Sequence, residues 1–148
     1  MISIRLTIKK STVYEEVEII IKCPQIDDRL ARLIDQIKQY ETKLLGTKDG
    51  ITYSLIAADI LYIESIENTS FLYDENQVYE SNLKLYELES MLLGADFIRI
   101  SKNMIVNVTY IESVRALFNG KFEALLTNSE KVIVNRHYVK AFKENFLT

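Results

Sequence analysis

A single cysteine, Cys23, and a single proline, Pro24, stand among 148 residues, with four glycines, one histidine and no tryptophan. One cysteine excludes an internal disulfide and any multi-cysteine zinc site. So little glycine and proline excludes fibrous and low-complexity classes. No run approaches the roughly 18 apolar residues that mark a membrane-crossing helix. The N-terminus lacks a basic start followed by an apolar run and a small-residue cleavage site, so a cytoplasmic location is expected. The sequons at Asn68 and Asn107 then carry no weight. His137 has no second histidine beside it and makes a poor metal ligand or catalytic base. The carboxylate pairs Glu15/Glu16, Asp27/Asp28 and Asp74/Glu75 are sequence neighbours, not the convergent groups that acid–base chemistry needs. Phosphate-cradling glycine loops and nucleophile elbows are missing too. The expectation is a protein that is not an enzyme and needs no metal or cofactor.

What is present is ordinary for a globular chain: 48% hydrophobic and 26% charged residues, with a net charge of −3. The distribution of charge is not ordinary. Residues 1–43 carry eight Lys/Arg against seven Asp/Glu, residues 44–96 two against ten, and residues 97–148 eight against four. A strongly acidic middle and a basic final third point to a polarised surface.

Residues 2–9 alternate apolar and polar at Ile2, Ile4, Leu6 and Ile8, and residues 16–22 repeat the pattern less cleanly, which predicts a strand pair joined through Lys10-Ser11-Thr12. After Pro24, Asp27 or Asp28 can cap a helix that carries Ile26, Leu30, Leu33, Ile34, Ile37 and Tyr40 at helical spacing. This β-β-α piece is too small for a core of its own and should pack on the rest of the chain or on a second copy.

From residue 44 the texture turns to short β-rich segments: 51–56, 60–66, 71–73, 78–79, 97–107, 110–118, 123–126 and 131–134. Leu85, Leu88 and Leu92 mark one face of a helix that Ser81 or Asn82 could cap, and a closing helix is expected over Arg136–Phe146 behind Asn135. Asn119-Gly120 between two alternating runs is a strong hairpin signal. The fold class is mostly β with short helices (α+β).

Three blocks resemble the LytTR family in order and spacing. They are Asp59-Ile60-Leu61-Tyr62-Ile63-Glu64-Ser65, then Phe97–Asn107 (FIRISKNMIVN) followed by Tyr110-Ile111, then Val132-Ile133-Val134-Asn135-Arg136-His137-Tyr138. With the Leu83–Leu93 helix between the first two, the match spans roughly residues 44–147. The resemblance implies an elongated multi-sheet β fold that binds double-stranded DNA by loops entering successive major grooves, with the β-β-α segment 1–43 ahead of the binding domain 44–148. On this sequence the loops carry Asn68, Thr69 and Ser70, then Lys102 and Asn103, and Arg136 opens the last helix. Arg can donate bidentately to guanine and Asn can pair with an adenine edge. Arg99, Lys121 and Lys140 are expected at phosphates, which fix register without reading sequence.

The chain departs from the family pattern at Ser101, Lys102 and Asn103, where His, Arg and Ser are usual. A point-charge Lys for a forked Arg should change or weaken base preference. Asn135 stands for the usual Ser and caps a helix equally well. Against these functional readings stand plainer ones. Polar triplets such as Asn68–Ser70 commonly mark only a turn. Asn107, inside an apolar run, should bond to the backbone of a turn. Glu64 reads as structural.

Many family members begin with a phosphoacceptor receiver, for which 43 residues are too few, so residues 1–43 are expected to mediate homodimerisation or to bind a regulator. The resemblance also suggests a small membrane protein as that regulator. No small-molecule substrate is expected. The alternative is a protein-interaction module that has kept the fold and lost affinity for DNA, a reading that the net charge of −3 allows.

Overall fold

The computed structural model describes residues 3–146. Residues 3–27 form no strand, and nearly all of them are exposed. This corrects the expected strand pair. Its first residue, Ile2, lies outside the described residues. The connecting turn does form, with the Tyr14 backbone N–H donating to the Ser11 carbonyl at 3.3 Å. A lone two-stranded hairpin is marginal in water, and no other described residue covers these.

Helix α1 spans Asp28–Glu41, and the Asp27 side chain caps it by accepting from the Leu30 N–H at 2.8 Å. The residue it buries best is not one of its leucines or isoleucines but Gln39, at 2% exposed. Strand β1 (Lys43–Lys48) follows at once and pairs with β2 (Ile51–Ile56) around the positive-φ turn Asp49-Gly50. β1 has little strand signature because it carries a glycine between charged ends. Gly46 is required by a close approach: a Cβ there would stand 2.6 Å from the Tyr79 Cβ.

Next come β3 (Tyr62–Ile66), β4 (Thr69–Tyr73), β5 (Val78–Ser81), helix α2 (Leu85–Met91), β6 (Phe97–Ser101) and β7 (Met104–Asn107). The segment 97–107 is a hairpin whose turn is Lys102-Asn103, where the resemblance implies a loop within the second motif. α2 starts later than expected: its cap position is Lys84, whose N–H donates to the Glu87 carboxylate at 3.0 Å. Ser81 holds the preceding turn instead, accepting from the Leu83 N–H at 3.1 Å. Among the described residues these strands make one sheet, in the order β2-β1-β5-β4-β3-β7-β6.

A second sheet, β10-β9-β8, is built from β8 (Ile111–Ala116), β9 (Phe122–Leu126) and β10 (Lys131–Val134). The Asn119-Gly120 hairpin forms with a longer loop than a two-residue turn. Leu117 and Lys121 close it by an N–H to O bond of 2.8 Å, and of the two turn residues only Gly120 has positive φ. A 3-10 turn over Arg136–Tyr138 leads into helix α3 (Val139–Phe146).

Alternation along the strands sorts the core into two clusters. Ile63, Leu72 and Ile105 face α2, where Leu85, Leu88 and Leu92 meet them. Their sequence neighbours Tyr62 and Val106, with Ile100, face the second sheet and α3, around the fully buried Phe142. A period of two in sequence therefore becomes two faces of one sheet, each covered by a different element.

α1 is held by polar contacts. Gln39 and Asn107 exchange side-chain hydrogen bonds of 3.2 and 3.4 Å, and Arg32 donates to the Asn145 carbonyl at 3.0 Å. Asn107 also donates to the Ile60 carbonyl at 3.0 Å and accepts from the Thr109 N–H at 3.1 Å. The backbone-bonding role expected for this buried amide is what the structure shows.

Candidate nucleic-acid interface

β3 and β7 are antiparallel, with Glu64 opposite Met104, so the β3–β4 and β6–β7 turns leave the sheet at the same end. The first turn is Glu67-Asn68, both with positive φ, at 50° and 66°. The second is Lys102-Asn103, exposed at the hairpin tip. The Ser65 N–H donates to the Asn103 carbonyl at 2.8 Å and ties the two together. A second backbone bond, from the Asn135 N–H to the Ile100 carbonyl at 2.8 Å, brings in the start of the last helical segment. Arg136 follows Asn135 directly, and Lys102 is two residues past Ile100. Chain geometry then keeps their Cα atoms within about 16 Å of each other.

The β8–β9 loop completes the group. A Cβ on Gly120 would lie 3.0 Å from the Arg136 Cδ, so the loop rests against the stem of that arginine. Lys121 follows Gly120 and is half-buried, while Lys140, one helical turn beyond Arg136, is exposed. Lys143 is directed elsewhere, over the Phe122 ring at 5.1 Å.

Two of the expected contacts are corrected by their surroundings. Ser70 is 1% exposed, and its hydroxyl has no hydrogen-bond partner among the described residues, so it presents nothing to a duplex. It lies two residues from Leu72, on the same inward face of β4. Arg99 was expected at a phosphate. Instead its guanidinium donates to the Glu89 carboxylate at 2.9 Å, to the Ser101 carbonyl at 2.8 Å and to the Lys102 carbonyl. Arg99 braces the Lys102 turn from inside. Thr69 is half-buried at the start of β4, and Asn68 remains exposed.

Lys84 was missed. Its ammonium donates to the Asn68 carbonyl at 2.9 Å, leaving two further donors free for an outside acceptor. The available signal was its rarity, since it is one of only two cations between residues 44 and 96.

Part of the acidic stretch is turned away. Asp74 and Glu75 lie in the β4–β5 turn, Asp59 precedes β3, and Asp96 precedes β6. All of these sit at the end of the strands opposite Asn68 and Lys102. Burial raises the Asp96 carboxyl above the usual carboxylate range, with Asp35 adding to the effect and Arg32 opposing it. Of the acids nearer the loops, Glu89 is paired with Arg99 and Glu87 with the α2 N-terminus, while Glu67 stands exposed in the β3–β4 turn beside Asn68.

The family model described as LytTr DNA-binding domain matches residues 51–147. A LytTr DNA-binding domain from Bacillus cereus superposes with a TM-score of 0.66 over 69% of this chain and 94% of its own, at 22% identity. Sensory transduction protein LytT of Enterococcus faecalis is 35% identical over 91 residues, 61% of this chain and 38% of LytT. Proteins of Staphylococcus aureus named as uncharacterized HTH-type transcriptional regulators are 30% identical over 126 residues, 84% of this chain and 85% of theirs. Among the described residues no helix is long and apolar enough to cross a membrane.

Proposed function

This chain belongs to the LytTR family of DNA-binding domains, and from that premise we propose that it is a transcription regulator that binds duplex DNA in a sequence-specific manner as a homodimer at paired sites. The observation that carries the reading is the pair of backbone bonds, Ser65 to Asn103 and Asn135 to Ile100, which gathers Asn68, Lys102, Asn103 and Arg136 on one side. Arg136 and Lys102 supply donors for guanine, and Asn103 and Asn68 supply amides for adenine edges. Lys84, Lys121 and Lys140 serve phosphates. Loops from separate hairpins suit successive major grooves. Paired sites would lie with centres one helical turn, or a multiple of it, apart.

The negative net charge favours the second reading, a module of the same fold without DNA affinity. Placement of Asp59, Asp74, Glu75 and Asp96 at the far end of the sheet weakens it. Footprinting and anisotropy against DNA upstream of the protein's own coding sequence separate the two. A DNA binder protects a discrete site, and its log Kd rises with log salt by about 0.9 for each phosphate neutralised. Absence of protection at low salt would leave the second reading.

A further inference from the structure

Residues 3–22 hold a pattern that the single chain does not use. The exposed apolar residues Leu6, Ile8 and Val17 are 83%, 78% and 94% accessible. The Ser11–Tyr14 bond sets a register for this segment. Continued as a hairpin about Thr12-Val13, it places Ile8 opposite Val17, Leu6 opposite Ile19 and Ile4 opposite Ile21, with Lys9 opposite Glu16. Every apolar residue of the two runs except Ile20, which falls opposite Arg5 on the other side, then shares one face. The ladder is nonetheless absent. Neither Thr12 nor Val13 has positive φ, and turns of that kind splay the strands they join.

The second run, EVEIIIK over 16–22, is self-complementary. Laid antiparallel to a copy of itself with Ile19 on the two-fold axis, it sets Glu16 opposite Lys22 twice and Val17 opposite Ile21 twice, with no like charges facing. The first run would then form the outer edges, where Arg5, Lys9 and Lys10 guard against further strand addition. Helix α1 offers the cover: Leu33 and Tyr40, seven residues apart on one stripe, are 38% and 68% exposed, and Ile26, just ahead of the Asp27 cap, is 63% exposed. Four strands beneath two helices make a core that one β-β-α unit is too small to build.

We propose that residues 3–41 of two copies form one shared domain, a four-stranded antiparallel sheet joined across the two-fold axis through Glu16–Lys22 of each chain. The occupant of the exposed stripe is a second copy of this chain. This deepens the homodimer named above and supplies its interface.

The test is the full-length protein in sedimentation velocity, without DNA, so that its outcome does not depend on DNA binding. Glu16→Lys and Lys22→Glu each place like charges opposite each other twice. Each is expected to weaken self-association by roughly tenfold or more and to run as a monomer where the natural protein is a dimer. An equimolar mixture of the two variants restores opposite charges at both positions and is expected to recover the dimer. The far-UV circular dichroism of each variant should lose the strand signal of the shared sheet and regain it in the mixture. A monomeric natural protein at tens of micromolar, variants as dimeric as the parent, or a mixture that stays monomeric would overturn the proposal.

Discussion

The side-chain amides of Gln39 and Asn107 lie 68 residues apart in sequence and exchange two hydrogen bonds in an environment closed to water. Through them a helix outside the matched domain is fixed to β7, one arm of the hairpin that carries Lys102 and Asn103. Asn107→Ala strips partners from Gln39, the Ile60 carbonyl and the Thr109 N–H together. It is expected to cost about 3 kcal/mol in urea unfolding. Gln39→Ala is expected to cost about half of that. The double variant should fall short of the sum, because one bonded pair is lost only once. Additive losses would refute the coupling.

Arg99 is expected to act on DNA affinity without touching DNA. Arg99→Lys keeps the charge but loses the fork that spans Glu89 and the two turn carbonyls. DNA affinity should drop roughly tenfold, while the slope of log Kd against log salt stays within about half a unit of the parent's. A slope reduced by about one would mean that Arg99 neutralises a phosphate itself. Lys84→Ala should show that behaviour, a smaller slope with the same preference among sequences.

Gly120→Ala sets a methyl group at φ +82°, where L residues are strained, and against the stem of Arg136. The expected cost is about 1 kcal/mol or somewhat more in stability. If Arg136 reads a base as proposed, a larger effect is expected on discrimination at that one position. Competition binding with single-base operator variants measures it. Equal loss at every position would show that the loop does not aim the arginine.

Burial, then the bonded Glu130 carboxylate, holds the Tyr62 phenol far above its ordinary value of 10.0. Burial first, and the Glu64 charge second, raises Tyr73. In the unfolded chain these groups release their protons near 10, while the folded chain keeps them. Stability is therefore complete below about pH 10 and falls as the pH climbs past it. Absorbance titration at alkaline pH should show two populations of tyrosine, the later one appearing together with unfolding. Glu130→Gln should shift that later population downward.

Much of this was legible in the chain. β2 and β10 have the expected bounds, and the Leu85, Leu88 and Leu92 face packs as its spacing implied. Strict alternation carries enough information to assign faces, and it would have removed Ser70 from the DNA contacts, since two residues from Leu72 means the same side. The same rule turns Arg99 toward α2 with Phe97. Two features were hidden. β1 reads weakly because Gly46 answers to Tyr79, a neighbour distant in sequence. The N-terminal strands read clearly, yet the single chain does not form them, because alternation reports a preference for pairing and is silent on who the partner is.

Asp59, Asp74, Glu75 and Asp96 at one end of the strands, with Lys102, Arg136 and Lys140 toward the other, give the molecule a dipole that its net charge of −3 does not express. In the field of a polyanion such a body experiences a torque before it makes any contact. On the proposed reading its approach would be orientation-selected, with the Asn68–Lys102–Arg136 side swinging forward and the Asp74–Glu75 end trailing, and added salt would slow the productive encounters most.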